Sequence, residues 1–204
     1  MHRLAVSLIV FLSLAGCTMG GTIEPSAPPS STPEASVPSS LPVEFNQALH
    51  DEIIAMLERD QAGRLGGTDS EGDVARTERL KEIIDEFGWP TFDLVGEDGE
   101  DAAWAIAQHS DLDPAFQAHA LEVLRDAVAV GQASPGNLAY LEDRVLVGRG
   151  EPQLYGTQIG CGPDGPEPAT PIAEEASVDD RRVAAGLDPL ADYITEIAPF
   201  CEDD

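Results

Sequence analysis

Leu80-Lys81-Glu82-Ile83-Ile84-Asp85-Glu86-Phe87-Gly88-Trp89-Pro90 carries a complete helix ending in eleven residues. Leu80, Ile83, Ile84 and Phe87 stand at i, i+3, i+4 and i+7, which aligns four apolar side chains on one face of an α-helix. Gly88 stops that helix and Pro90 forbids its return. The same period recurs on both sides. Upstream, Phe45, Leu49, Ile53 and Leu57 repeat every four residues, with Ile54 and Met56 widening the stripe, so an amphipathic helix is expected from Val43 to about Arg64. Downstream, Ala102, Ala103 and Ile106 mark a third, shorter helix ending near His109. Asp113 as N-cap and Pro114 at the first helical position open a fourth, with Phe116, Ala120, Val123, Leu124 and Ala127 on one side. Ser134 and Pro135 open a fifth in the same manner, with Leu138, Leu141 and Val145 along its face, and it runs out at Gly148 and Gly150.

Between Pro152 and Pro171 glycine and proline are too frequent for a helix. Leu154 to Ile159 and Ala169 to Ile172 read as two short strands joined around Pro163-Asp164-Gly165. Helix returns from about Val178 to Ala185, ends at Gly186, and restarts after Asp188-Pro189 through Leu190, Tyr193, Ile194 and Ile197. The expected fold is mainly α, a compact helical bundle with a small β-hairpin near residues 154–172.

The N-terminal region has a different character. His2 and Arg3 precede an uncharged apolar run from Leu4 to Ala15 that is too short to span a bilayer, which needs about 20 apolar residues. It ends in Leu14-Ala15-Gly16-Cys17, which resembles the lipobox of bacterial lipoproteins. That resemblance implies cleavage before Cys17 and lipid on its sulfur, making Cys17 the membrane attachment point. Residues 1–16 are then a lipoprotein signal peptide. Residues 17–42 are a lipidated cysteine followed by a Pro- and Ser-rich tether with no apolar periodicity, and residues 43–204 form one globular domain. The expected location is extracytoplasmic, on a cell membrane through the lipid.

Eleven Lys and Arg stand against thirty-eight Asp and Glu, a net charge of −27. Such a field repels phosphate backbones, so nucleic acid is not an expected partner. With Cys17 lipidated, Cys161 and Cys201 remain as an even pair in an oxidising compartment, and a disulfide between them is expected.

Several pieces occur together and in order: Asp60-Gln61 with Arg64; Gly88-Trp89-Pro90 followed by Val95-Gly96; Gln108-His109 with Asp111, Asp113-Pro114 and Phe116-Gln117; Leu138 to Val145; Pro152 to Gln158; and Arg181-Arg182 before Gly186-Leu187. This combination is similar to one of the bacterial families catalogued as a domain of unknown function. The resemblance covers nearly all of residues 45–198 and implies a fold relationship without a reaction.

His109 is the first candidate for chemistry. It ends a helix close to Asp111 and Asp113, and an imidazole among carboxylates can act as general base or metal ligand. The same position also suits a histidine electrostatically, as a helix C-terminus favours it. His119, three residues after Phe116, reads as the edge of the core. The second candidate is the polar segment Gln153, Tyr155, Thr157 and Gln158 with Asp143 and Arg144 in the preceding helix. Tyr155 would orient a substrate beside His109, while Asp143, Arg144, Gln153, Thr157, Gln158 and Arg182 would bind a polar ligand. Equally, these groups could serve to stitch the hairpin onto the bundle, with Asp143 or Arg144 paired to Arg182 or Asp60. There is no HExxH, paired-cysteine or Gly-x-Ser-x-Gly pattern, and no metal or cofactor is expected. Three functions compete: a binding or interaction module for an envelope protein or a polar small molecule, a hydrolase or transferase using His109, and a structural envelope protein.

Overall fold

A computed structural model describes residues 43–201. The expected signal peptide, the Cys17 attachment point and the expected tether lie outside the described residues. The chain folds as five helices, α1 (Gln47–Arg64), α2 (Gly72–Phe87), α3 (Phe92–Gln108), α4 (Pro114–Ala129) and α5 (Pro135–Gly148). These are followed by a two-stranded hairpin, β1 (Ile159–Gly162) and β2 (Gly165–Pro168), and by two short helices, α6 (Val178–Ala184) and α7 (Leu190–Ile197). The fold is mainly α with a small antiparallel hairpin, as the periodicity predicts. No helix among the described residues is long and apolar enough to cross a membrane.

One core runs through α1 to α5. Ile53 and Met56 of α1, Leu80 and Ile83 of α2, Ala103 and Ile106 of α3, Leu124 of α4 and Leu141 of α5 are all buried in it. Each fully buried aliphatic side chain removes enough apolar surface to stabilise the fold by about 1.5–3 kcal/mol before conformational entropy opposes it. The alanines at 102, 103 and 107 let α3 lie close to its neighbours.

The helix ends follow side-chain capping. Asp113 Oδ1 accepts from the Phe116 amide at 3.0 Å and Ser134 Oγ from the Asn137 amide at 3.2 Å, so α4 and α5 start where the sequence places them. The first helix starts later than expected, at Gln47 rather than Val43, because Asn46 Oδ1 accepts from the Leu49 amide at 3.1 Å and takes the cap position. The third is longer than expected and begins at Phe92. Gly96 within it has φ 79° and ψ 170°, so two helical segments meet at a kink that the low helix propensity of Gly96 and Gly99 concealed.

The hairpin is displaced from its expected position. Ile159 pairs with Pro168 and Gly162 with Gly165 around the Pro163-Asp164 turn, while residues 154–158 form no strand. The reason lies in their amides. Those of Leu154, Tyr155 and Thr157 all donate to the Asp143 carboxylate and are not free to enter a ladder. Ala169 to Ile172 is not a strand either; Ile172 makes one isolated parallel bridge with Gln153. A disulfide joins Cys161 of β1 to Cys201.

Candidate functional site

The apolar face of α1 descends through Leu49, Ile53 and Met56 and reaches Asp60, whose side chain is 0% exposed. A buried carboxylate is tolerated only when donors surround it. Here Gln61 Nε2 donates at 2.9 Å and Arg64 donates through Nε at 3.0 Å and Nη2 at 3.0 Å. His109, arriving from the end of α3, places Nδ1 2.9 Å from Asp60 Oδ2. Burial alone would raise the Asp60 pKa, yet the hydrogen bonds and charge of Arg64, with His109 beside it, hold it below the usual carboxylate value.

This contact favours the tautomer of His109 protonated on Nδ1. Two lone pairs cannot face each other at 2.9 Å, so the proton between Nδ1 and Oδ2 must be on the imidazole, with Asp60 ionised. Arg64 Nε also donates towards the same nitrogen at 3.0 Å, its N–H shared between that nitrogen and both carboxylate oxygens. With the proton on Nδ1, Nε2 carries the lone pair. It has no partner among the described residues and is not among their buried orphan atoms, and the His109 side chain is 24% exposed. Burial, followed by the opposing pull of Asp60 and the push of Arg64 and Arg144, leaves the His109 pKa below its ordinary value. That lowering favours the neutral imidazole over the imidazolium.

Arg144 of α5 flanks it. Its Nε donates to Asp111 Oδ1 at 2.9 Å and its Nη2 makes a close contact with Oδ2, so the pair is bidentate. Nη1 donates to Gln158 Oε1 at 3.1 Å, and Gln158 Nε2 donates to Thr157 Oγ1 at 3.1 Å. Gln117 Nε2 steadies Asp111 at 3.2 Å. Two depressions adjoin the line Asp60–His109–Asp111–Arg144. One of about 290 Å³ is bordered by Arg64, Asp69, Asp73 and Arg76 on the Asp60 side. The other, of about 250 Å³, lies between Asp111, Pro114 and Gln117 and the end of α5.

The other candidates separate into different roles. Asp143 is fully buried and accepts from three backbone amides and from Thr157 Oγ1 at 3.0 Å. Gln153, also fully buried, donates through Nε2 to the carbonyls of Gln158 and Thr170 and accepts from the Gln158 amide. Arg182 donates to the carbonyls of Asp188 and Tyr155 and lies over the Tyr193 ring, and Arg181 donates to the Leu154 and Ala173 carbonyls. These residues hold the segment 153–158 against α5 and α6. None of the pairings of Asp143 or Arg144 with Arg182 or Asp60 forms, because backbone groups and Asp111 take those positions. Tyr155 does not reach His109: its phenol lies with Glu142, Asp143 and Arg181, and burial, then the charges of Glu142 and Asp143, raises its pKa. Of the polar segment, Gln158 alone joins the His109 line, through Arg144.

Asp60, Arg64 and Gln117 complete the site without having been singled out as its members, whereas Asp111 stands beside His109 in the sequence reading as well. Asp60 carried a readable signal, a carboxylate on the same face as Ile53 and Met56, where charge is rare unless it is matched. No group of three or more His, Cys, Asp or Glu among the described residues is arranged to hold a metal ion. A family model described as a family of unknown function (DUF6624) matches residues 47–200, which include every residue of this site. No curated protein and no solved structure matches the chain.

Proposed function

The chain belongs to the DUF6624 family of unknown function, and from that premise we propose an activity on the geometry of the site: a hydrolase or transferase of a polar substrate in which His109 is the general base. The observation that carries this reading is the 2.9 Å contact between His109 Nδ1 and the buried Asp60, which, with Nδ1 as donor, would leave Nε2 as the free base. Nε2 would take the proton of a water or a substrate hydroxyl, and Asp60 would stabilise the imidazolium as it forms. Among the described residues no side-chain nucleophile bonds to His109, so the attacking oxygen would come from water or substrate. Arg144 and Gln158 would orient the polar group.

A positioned general base contributes about 10²- to 10⁴-fold in rate. The test is turnover of a panel of chromogenic carboxylic and phosphoric esters by the full chain and by His109→Asn. Turnover lost in the variant by that factor supports the base; equal turnover in both refutes it. A second reading, a binding module, is favoured by the closed Arg144–Asp111 pair, whose groups already satisfy each other. Saturable binding without turnover would select it.

The location belongs to the same proposal. Lipid on Cys17 would hold the domain at the outer face of a membrane, beyond a proline-rich tether. Labelled palmitate should enter the protein and fail to enter Cys17→Ser; equal labelling of both would remove the anchor.

A further inference from the structure

Among the described residues every lysine and arginine except one donates to a carboxylate or a carbonyl of the chain itself. The exception is Arg149. In a protein of net charge −27 an unmatched guanidinium is conspicuous, because carboxylates are available on all sides. Arg149 borders the cavity of about 250 Å³ that also contains Arg144, Asp111 and Gln117. Its position just beyond α5 has an ordinary explanation, the favourable interaction of a cation with a helix C-terminus. Backbone amides already cap that end, however. The Arg149 amide lies 3.0 Å from the Leu146 carbonyl, that of Gly150 2.9 Å from Val147, and that of Glu151 2.9 Å from Leu146.

We infer that this cavity is the subsite for an oxyanion, a carboxylate or a phosphate, of a compact ligand held by Arg149, with the Asp111-paired Arg144 beside it. Arg149 supplies the uncommitted charge, and its planar fork matches a carboxylate or phosphate edge. Gln117 and Asp111 line the polar side, and Pro114, Val145 and Val147 form an apolar wall for the remainder of the ligand. Asp111 links the subsite to the reactive nitrogen, since it holds Arg144 and lies within electrostatic reach of His109. The inference rests on the His109 site as the place of chemistry and supplies its substrate class. The apolar wall and the limited volume exclude a polymeric polyanion from the cavity itself.

The test uses the full chain, with inorganic phosphate in one arm and acetate in the other, each compared with sodium chloride at equal ionic strength. Thermal melts are followed for wild type, Arg149→Gln and His109→Asn. Arg149 is exposed and its side chain makes no bond among the described residues, so its replacement should leave folding intact. At least one oxyanion should raise the melting temperature saturably beyond chloride, and the apparent affinity should fall about tenfold or more in Arg149→Gln, as for loss of a charged hydrogen bond. No saturable shift beyond chloride in either arm, or an unchanged affinity in Arg149→Gln, overturns the subsite. His109→Asn separates the two ideas. If it keeps oxyanion affinity and loses ester turnover, both stand. If it keeps both affinity and turnover, the general-base reading fails and the subsite stands.

Discussion

Replacing Asp60 by Asn would preserve the shape of the side chain and remove the charge that Arg64 and His109 share. Breaking a buried, hydrogen-bonded charge pair costs about 3–5 kcal/mol, and the lower end applies because Arg64 is partly exposed and keeps Asp73. Urea unfolding of Asp60→Asn should therefore show a loss of about 3 kcal/mol, and His109→Asn, at a partly exposed position, a loss of about 1 kcal/mol or less. Equal losses would make His109 scaffold. Glu100 presents the opposite balance. It is 0% exposed, accepts from Trp89 Nε1 at 3.0 Å and Asn137 Nδ2 at 2.9 Å, and burial pushes its pKa up to about 7 despite those donors. The unfolded chain loses this proton near pH 4.5 and the folded chain only near 7, so the folded state binds more protons in that window and stability falls as pH rises through it. The shift corresponds to about 3 kcal/mol at most. Other carboxylates give slopes of the opposite sign, so the measurable quantity is the difference: the advantage of Glu100→Gln over wild type should grow between pH 4.5 and 7 and level off above.

At the scale of the element, the helices were legible in the sequence and the segment after α5 was not. Leu80 to Phe87 carries its period on its surface, and Asp113-Pro114 and Ser134-Pro135 state their own starts, because those determinants lie within a few residues of each other. Residues 154–158 are shaped by Asp143, eleven residues earlier, and no local pattern announces that a carboxylate will take three amides from a strand. The site divides along the same line. His109, Arg144 and Gln158 were readable by type, whereas their link through Asp60 and Asp111 depends on helices packed far apart in sequence. Gly156 tests the loop directly. Its φ is 65°, and a Cβ there would lie 2.6 Å from Ile172 Cδ1 and 3.1 Å from Leu190 Cδ1. The glycine thus serves close approach to a neighbouring part of the chain. Gly156→Ala should cost about 2 kcal/mol from the left-handed backbone and the contact together, read as a lowered urea midpoint at unchanged m. A cost near zero would mean that the segment is not held as tightly as its hydrogen bonds imply.

At the scale of the molecule, charge and cross-link act in opposite directions. The Cys161–Cys201 bridge closes a separation of 40 residues, for which the chain-entropy model gives about 4 kcal/mol as an upper figure. It ties the C-terminal turn to β1, away from Asp60 and His109, so Cys161→Ser with Cys201→Ser should lower stability without changing the His109 titration. Against the fold stands a charge of −27, and salt decides how strongly it is felt. At 10 mM salt the screening length is about 30 Å, about twice the radius of gyration of roughly 15 Å expected for a domain of this size, so every carboxylate repels nearly every other. At 0.15 M it is about 8 Å, and only neighbours interact. Salt also weakens the exposed ion pairs, such as Arg59–Glu71 and Arg125–Glu142, but each is worth only about 0–1 kcal/mol and they are few beside the excess of acid. Repulsion should dominate, and the melting temperature should rise by several degrees between 10 mM and 0.5 M sodium chloride, then flatten once the screening length falls below the spacing of the surface charges. A melting temperature that falls over that range would show that the Arg-centred pairs around Asp60 and Asp69 outweigh the net charge. The same titration supplies the baseline for oxyanion binding: a phosphate or acetate effect at Arg149 must exceed the chloride curve and saturate, whereas screening follows ionic strength alone.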